Sequence, residues 1–223
     1  MSVLEAHDLT RTFTEGRQPV RVLKGVSLAL ERGEIVALEG PSGSGKTTLL
    51  SILGCILTPS SGALTIDGVK VPVGSPAALP AIRRRYIGFV FQQFHLFPAL
   101  TALENVQYAL NIRGHRDGTA RTEALAMLNA VGLTERASFL PRDLSGGQKQ
   151  RVAVARALVG GPPVVFADEP TANLDYHTGD QILDVFRDLA RAQNRALLIV
   201  THDPKVRRIA DRVLQIQDGR LLH

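Results

Sequence analysis

The segment Gly40-Pro41-Ser42-Gly43-Ser44-Gly45-Lys46-Thr47 decides the fold, because it matches the pattern G-x-x-x-x-G-K-[ST] at every fixed position. The apolar residues 35–38 before it predict a buried strand, and residues 46–53 after it predict a helix. Glycines let successive backbone N–H groups point at phosphate oxygens, and the helix N-terminus adds a positive dipole end. This order predicts a site for a nucleoside triphosphate; the alternative is a flexible loop with an incidental lysine.

Three side chains of this segment have predicted contacts with the nucleotide. Lys46 is placed to reach the β- and γ-phosphates, and Thr48 is placed to contact the α-phosphate. The Thr47 hydroxyl is placed to coordinate Mg²⁺.

A pair of carboxylates, Asp168-Glu169, follows directly on the apolar residues 164–167. Open α/β sheets bind their ligands at the carboxyl ends of strands. Asp168 is therefore predicted to bind Mg²⁺ through water, and Glu169 to polarise the water that attacks the γ-phosphorus. The alternative is a solvated acidic pair at the end of a strand.

A second glycine-rich helix start lies at Ser145-Gly146-Gly147-Gln148. Ser145 with Gln148 three positions later is a capping-box pattern, which predicts that a helix begins here. The free N–H groups at such a start make a second anion site. Because the first loop already holds the only γ-phosphate of its own nucleotide, the simplest use of this site is to close over a nucleotide held by another copy. The alternative is an ordinary capped helix.

The rest of the chain predicts an α/β fold with a doubly wound, mostly parallel sheet. Alternating or continuous apolar runs predict further strands at residues 3–13, 20–30, 63–66, 87–91, 164–167 and 197–201, the first two forming an antiparallel N-terminal sheet. A basic linker is expected just before residue 87. Residues 212–222 predict a terminal hairpin around Asp218-Gly219.

Apolar residues recur every three or four positions between residues 100 and 159, which predicts a helical segment. We expect it to form an inserted α-helical subdomain, residues 94–159. The core and the antiparallel β-subdomain are expected in residues 1–93 and 160–223.

Composition narrows the possible function classes. The 223 residues are 44% hydrophobic and carry a net charge of +5, without an apolar run long enough to cross a bilayer. The first residues lack the basic and apolar regions of a signal peptide, so a cytosolic chain is expected. No nucleic-acid partner is expected, because aromatics are 5% of the residues and none is interleaved with Arg83-Arg84-Arg85. The single cysteine, Cys55, excludes an internal disulfide.

The run Leu144-Ser145-Gly146-Gly147-Gln148, together with the order of the motifs, resembles the ABC ATPase family over nearly the whole chain. The resemblance implies a P-loop NTPase with a RecA-like core, ATP and Mg²⁺ as ligands, and a head-to-tail homodimer with two ATP molecules between the copies.

The resemblance also implies roles for four further residues. Gln92, with Gln93 as the alternative, matches the glutamine that contacts Mg²⁺ and the attacking water, and His202 matches the histidine that contacts the γ-phosphate and supports Glu169. Asp175, in Asn173-Leu174-Asp175, matches the loop that communicates across the dimer, or it caps the following helix. Phe13 stands where a tyrosine usually stacks on adenine, or it is a core residue.

Within the family, residues 100–106 and 171–175 look most like the LolD, MacB and FtsE group. That likeness implies a peripheral subunit at the cytoplasmic face of the inner membrane, which powers a MacB/FtsX-type permease with four helices per subunit and a large extracytoplasmic domain. The partner is expected to dock near residues 94–106, from Phe94 to Val106. Two alternatives are a regulatory ATPase that controls an extracytoplasmic enzyme without transport, and a soluble ABC protein acting on DNA or ribosomes.

Overall fold

The computed structural model describes residues 2–16, 18–115 and 118–222, apart from the side chain of Glu15. Ten strands are described: β1 (Ser2–Glu15), β2 (Gln18–Glu31), β3 (Ile35–Glu39), β4 (Ser61–Ile66), β5 (Val69–Lys70), β6 (Ile87–Val90), β7 (Val164–Asp168), β8 (Ala196–Val200), β9 (Arg212–Gln217) and β10 (Arg220–Leu222). The described α-helices are α1 (Lys46–Leu53), α2 (Leu79–Tyr86), α3 (Ala102–Arg113), α4 (Gly118–Ala130), α5 (Gly146–Leu158) and α6 (Tyr176–Ala192).

The N-terminal sheet is antiparallel, with strand order β2-β1-β4-β5. Its first two strands confirm the predicted pair, and β4 and β5 extend it on the other side of β1. The turn between β4 and β5 uses Asp67 and Gly68, whose φ angles of 49° and 77° are both left-handed. Such a pair is typical of a tight hairpin turn.

The central sheet has the order β10-β9-β3-β8-β7-β6, and five of its strands run parallel. Only β10 is antiparallel, and it forms the predicted terminal hairpin with β9. Every residue of β8 is buried, as is typical of a strand covered on both faces. The carboxyl ends of β3, β6, β7 and β8 therefore meet at one edge, which is where the phosphate loop, Gln92, Asp168 and Thr201 emerge.

Three helices, α3, α4 and α5, confirm the helical segment predicted between residues 100 and 159. Their apolar side chains share one core with one face of the central sheet, including Val106, Leu128, Val154 and Val165. The bounds of a separate subdomain at residues 94–159 stay a prediction.

The predicted basic linker before residue 87 is wrong, because residues 79–86 form the helix α2. Leu79 is its only buried residue, and three successive arginines fill its last turn. Because α2 buries a single residue, its sequence lacks the apolar positions, three or four residues apart, from which a helix is predicted. The helix is held instead by tertiary contacts, among them the Arg83 guanidinium, which donates to the Cys55 carbonyl over 2.7 Å.

Across the described ranges of the chain, no helix has both the length and the apolar character that a membrane crossing requires.

Candidate functional site

The phosphate loop folds back on its own lysine. The ammonium of Lys46 donates to the carbonyls of Gly40 and Pro41 at 2.7 and 2.9 Å, and only 8% of the residue is exposed. Gly40 must lack a side chain, because a Cβ there would lie 2.1 Å from the Ile216 carbonyl oxygen. Gly45, at φ 103°, passes the chain into α1. The loop is thus shaped by its backbone and not by side-chain packing.

One buried side-chain atom of the loop has no hydrogen-bond partner among the described residues. The Ser44 hydroxyl is buried, with 3% of the residue exposed, and makes no hydrogen bond. Buried hydroxyls are normally satisfied by protein or water. A buried hydroxyl without a protein partner in this glycine-rich loop is free to donate to a phosphate oxygen.

The two carboxylates at the end of β7 differ in environment. Burial raises the pKa of Asp168 above its ordinary value; the neighbouring charge of Glu169 raises it further, and Lys46 opposes both. Glu169 has a left-handed backbone, with φ of 46°, and its N–H donates to the Val200 carbonyl over 2.8 Å. The backbone of Glu169 thus leaves the extended conformation of β7, which ends at Asp168.

The end of β8 holds the Glu169 carboxylate in place. Its Oε2 accepts hydrogen bonds from the Thr201 hydroxyl at 3.2 Å and from the His202 backbone N–H at 3.3 Å. The His202 Nε2 lies 3.8 Å from Oε1. The carboxylate is therefore oriented by neutral donors while it remains in reach of the imidazole.

These groups line one cavity of about 440 Å³, large enough for a polyphosphate. Its lining residues are Val22, Ser42, Gly43, Gly45, Lys46, Thr47, Thr48, Gln92, Asp168, Glu169, Val200 and His202. Gln92 is among them and Gln93 is not, which distinguishes the two alternative glutamines. Cationic, amide and carboxylate groups thus converge on a single space.

The second glycine-rich start confirms the predicted capping box. The Ser145 hydroxyl accepts from the Gln148 N–H at 3.3 Å, and the Gln148 side chain accepts from the Ser145 N–H at 3.0 Å. Ser145 itself is exposed. Gly147 packs on α6, since a Cβ there would lie 2.3 Å from the Thr178 methyl carbon.

The family described as ABC transporter matches residues 23–172, which include the phosphate loop, Gln92, the capped start at Ser145 and the acidic pair. The chain belongs to the ABC transporter family.

The alignments with two named relatives of this ABC transporter chain each cover 98% of its residues. The lipoprotein-releasing system ATP-binding protein LolD of Bordetella pertussis is 46% identical over 98% of this chain and 94% of its own length. The macrolide export ATP-binding/permease protein MacB of Syntrophobacter fumaroxidans is also 46% identical, over 98% of this chain. The chain spans only 31% of that MacB.

A solved structure shares the fold closely. It is described as the dimeric structure of a post-hydrolysis state of the ATP-binding cassette MJ0796 bound to ADP and Pi. It superposes with a TM-score of 0.89 at 41% identity, and the match covers 99% of this chain and 97% of that one.

Two residues singled out in the ABC chain have other contacts here. Phe13 is not among the residues lining the cavity, and the Arg11 guanidinium lies 4.7 Å from the centre of its ring. Asp175 caps α6, because its carboxylate accepts from the Thr178 N–H at 3.0 Å. Capping also lowers the pKa of Asp175. Adenine stacking by Phe13 and communication through Asp175 remain predictions.

Sequence reasoning missed several groups that shape the site. The sequence marks Thr201 only as the residue before His202, yet its buried hydroxyl orients Glu169. The Asn173 amide donates to the Gln92 carbonyl over 2.8 Å, which links two loops that are 81 residues apart. No local pattern marks either contact.

Proposed function

We propose that this chain is the ATP-binding and ATP-hydrolysing subunit of an ABC transporter, and that it powers a MacB/FtsX-type membrane permease by ATP-driven head-to-tail dimerisation. The observation that carries the proposal is the single cavity in which Lys46, Gln92, Asp168, Glu169 and His202 converge. The LolD, MacB and MJ0796 likenesses support it.

Lys46 binds the β- and γ-phosphates in this proposal. Its ammonium already lies over the loop, held by two carbonyls, so it is positioned before ATP arrives. Phosphate oxygens would replace those carbonyls as stronger, charged acceptors. Loop N–H groups, Ser42 and Thr48 add neutral donors, and the N-terminus of α1 adds its dipole.

Thr47, Gln92 and Asp168 would hold Mg²⁺, since oxygen ligands suit this ion and all three side chains line the cavity. Bound Mg²⁺ would supply neutralisation of phosphate charge. Burial and the charge of Glu169 raise the pKa of Asp168, so a nearby cation would favour its ionised form. The donor set therefore fits a divalent cation.

Glu169 acts as the group that polarises the attacking water, and His202 contacts the γ-phosphate. Hydrogen bonds from Thr201 and from the His202 N–H fix the carboxylate, so its free oxygen lone pairs can accept from the water. The exposed imidazole of His202 can turn to the phosphate without disturbing its own backbone N–H bond.

The test of this assignment is Glu169→Gln. The amide keeps the shape but is a far weaker base, so ATP turnover should fall by about a hundredfold or more. ATP binding, measured as thermal stabilisation by ATP, should persist. Turnover close to that of the unchanged chain would contradict the role of Glu169.

The capped start of α5 supports a second proposal about the same reaction. Ser145 is exposed, Gly146 and Gln148 are half-buried, Gly147 is buried, and none of the four lines a described cavity of this chain. We assign them to the γ-phosphate held by a second copy. The dimeric state of the MJ0796 structure is consistent with this use.

We propose that the permease docks in a separate groove of about 560 Å³, and that this contact lies at the cytoplasmic face of the inner membrane. Only His95 and Phe97 of its walls come from the predicted segment 94–106. The other walls come from α2, from β6 with Phe91 after it, from α3 beyond Val106 and from α5. The helix α2, which was not predicted from the sequence, therefore supplies one side of the proposed docking surface.

The groove is tested with Tyr108→Glu. Tyr108 is 42% exposed, and its ring packs edge-on against Phe97 at 4.9 Å, so a charge there should abolish co-purification with the membrane protein. Val213→Glu is the matched control, since Val213 is a 39% exposed apolar residue on β9. Both variants should keep basal ATPase activity. Unchanged co-purification of Tyr108→Glu would exclude this groove as the docking site.

A further inference from the structure

The segment that follows Glu169, residues 170–176, is tied to the segment that follows His202 by side-chain contacts of Thr171 and Lys205. The Thr171 hydroxyl donates to the Asp203 carboxylate over 2.8 Å. The Lys205 ammonium donates to the Tyr176 carbonyl over 3.0 Å and lies 3.7 Å from the centre of its ring. The two segments that carry the proposed hydrolytic pair are thus cross-linked beyond the pair itself.

Asp203 is fully engaged within this junction. Its Oδ2 accepts from Thr171, its Oδ1 accepts from the Lys205 N–H at 3.0 Å, and its own N–H donates to the Thr201 hydroxyl over 2.9 Å. That hydroxyl in turn donates to Glu169. A continuous chain of hydrogen bonds therefore runs from Thr171 through Asp203 and Thr201 to the Glu169 carboxylate.

Glu169 needs such support because of its backbone. A non-glycine residue keeps a left-handed conformation only where its surroundings hold it. Its N–H is fixed on one side by the Val200 carbonyl, and its carbonyl accepts from the Ala172 N–H at 3.2 Å on the other side. Thr171 lies inside that second turn, is 5% exposed, and has its hydroxyl committed to Asp203.

We infer that Thr171 and Asp203 are a pair of positioning residues, which hold the Glu169 carboxylate in its hydrolytic orientation relative to His202. Neither side chain lines the cavity, so both are proposed to act through Glu169 and not on the nucleotide. The inference rests on the proposed role of Glu169. It adds that the geometry of the site depends on the Thr171–Asp203 hydrogen bond, which joins the loops that follow β7 and β8 and is called the latch below.

The pair is tested by removing its hydroxyl without changing shape. Thr171→Val should lower kcat for ATP by about tenfold or more, because small misplacements of a catalytic group are costly, and should leave KM unchanged. Thr171→Ser keeps the hydroxyl and should retain kcat. Thr134→Val is the control, since the Thr134 hydroxyl also donates to a side chain, that of Asn129 at 3.0 Å, in the turn after α4.

Asp203→Ala provides an independent variant on the less buried side of the bond. It should reproduce the loss in kcat, and the double variant with Thr171→Val should lose no more than the larger single effect, because the two residues act as one unit. Thermal melting confirms that each variant is folded.

An unchanged kcat in Thr171→Val, failure of Thr171→Ser to retain activity, or full additivity in the double variant would overturn the inference. The Glu169→Gln variant distinguishes a failure of the proposed Thr171–Asp203 contact from a failure of the proposed function. If Glu169→Gln hydrolyses ATP normally, the role of Glu169 fails; if it is inactive while Thr171→Val is normal, only the latch fails.

Discussion

Asp168 illustrates, at the scale of single residues, how a buried carboxylate at a proposed cation site lowers the stability of the fold. Its pKa is raised by burial and by Glu169, so the native chain binds the Asp168 proton more tightly than the unfolded chain does. This contribution lowers stability as the pH rises above the ordinary value of 3.8, and it vanishes below that value, where both states are protonated.

Asp168→Asn should therefore stabilise the nucleotide-free chain at neutral pH. We expect the melting temperature to rise, because the substitution removes a charge that burial disfavours. The difference from the unchanged chain should shrink as the pH is lowered towards 3.8. Thermal melting over a pH series measures it, and a lower melting temperature for Asp168→Asn at neutral pH would contradict this explanation.

The two glycines of the capped start differ in the space around them. A Cβ on Gly147 would lie 2.3 Å from the Thr178 methyl carbon, whereas a Cβ on Gly146 would lie 3.6 Å from the nearest atom, in Leu174. Gly147→Ala should therefore destabilise the chain by about 1–3 kcal/mol through overpacking, and Gly146→Ala should not.

Chemical denaturation measures this difference. Gly147→Ala combined with Thr178→Ser, which removes the clashing methyl group, should recover most of the loss. Equal stability of the two single alanine variants would show that α5 and α6 are not packed as described.

Site residues that belong to a local sequence pattern were predicted from the sequence. Site residues whose role depends only on contacts between distant segments were not. Lys46, Asp168 and Glu169 follow from a loop pattern and from the strand before them. The hydroxyl of Thr201 and the latch partner Thr171 act through residues about 30 positions away, so their roles depend on the folded sheet.

At the scale of elements, α3 and α5 begin with equivalent capping boxes, Thr101 with Glu104 and Ser145 with Gln148. Thr101→Ala and Ser145→Ala should each cost about 0.5–2 kcal/mol of stability through the lost cap. Only Ser145→Ala should also weaken ATP-dependent dimerisation, because of the two starts only that one is assigned a phosphate to bind.

Denaturation and ATP-dependent dimer formation, measured on both variants, separate the two effects. Loss of dimerisation in Thr101→Ala to the same extent would show that general stability, and not the phosphate contact, limits the assembly.

Long periodic elements were predictable, and α2 was not. Helices α3 to α6 carry repeated apolar positions or caps, and the buried strands of the central sheet are continuous apolar runs. The helix α2 buries one residue and is stabilised by contacts with other elements, such as the hydrogen bond to Cys55. Its arginine-rich sequence lacks the repeated apolar positions from which a helix is predicted.

At the scale of the whole molecule, the described residues include a complete phosphate loop and a glycine-rich capped start at Ser145 that lies outside the cavity of that loop. This arrangement explains why a single chain is expected to be an incomplete enzyme. The ABC family membership, the likeness to a dimeric cassette and the exposed Ser145 agree with a site completed by a second copy.

The central claim is that ATP holds two copies of this chain together. Sedimentation velocity of the Glu169→Gln chain, in which hydrolysis is blocked, tests it most directly when run with and without ATP. We predict a monomer without ATP and a species of twice the mass with ATP, which Ser145→Arg in the same chain abolishes. One unchanging species in both conditions would contradict the claim.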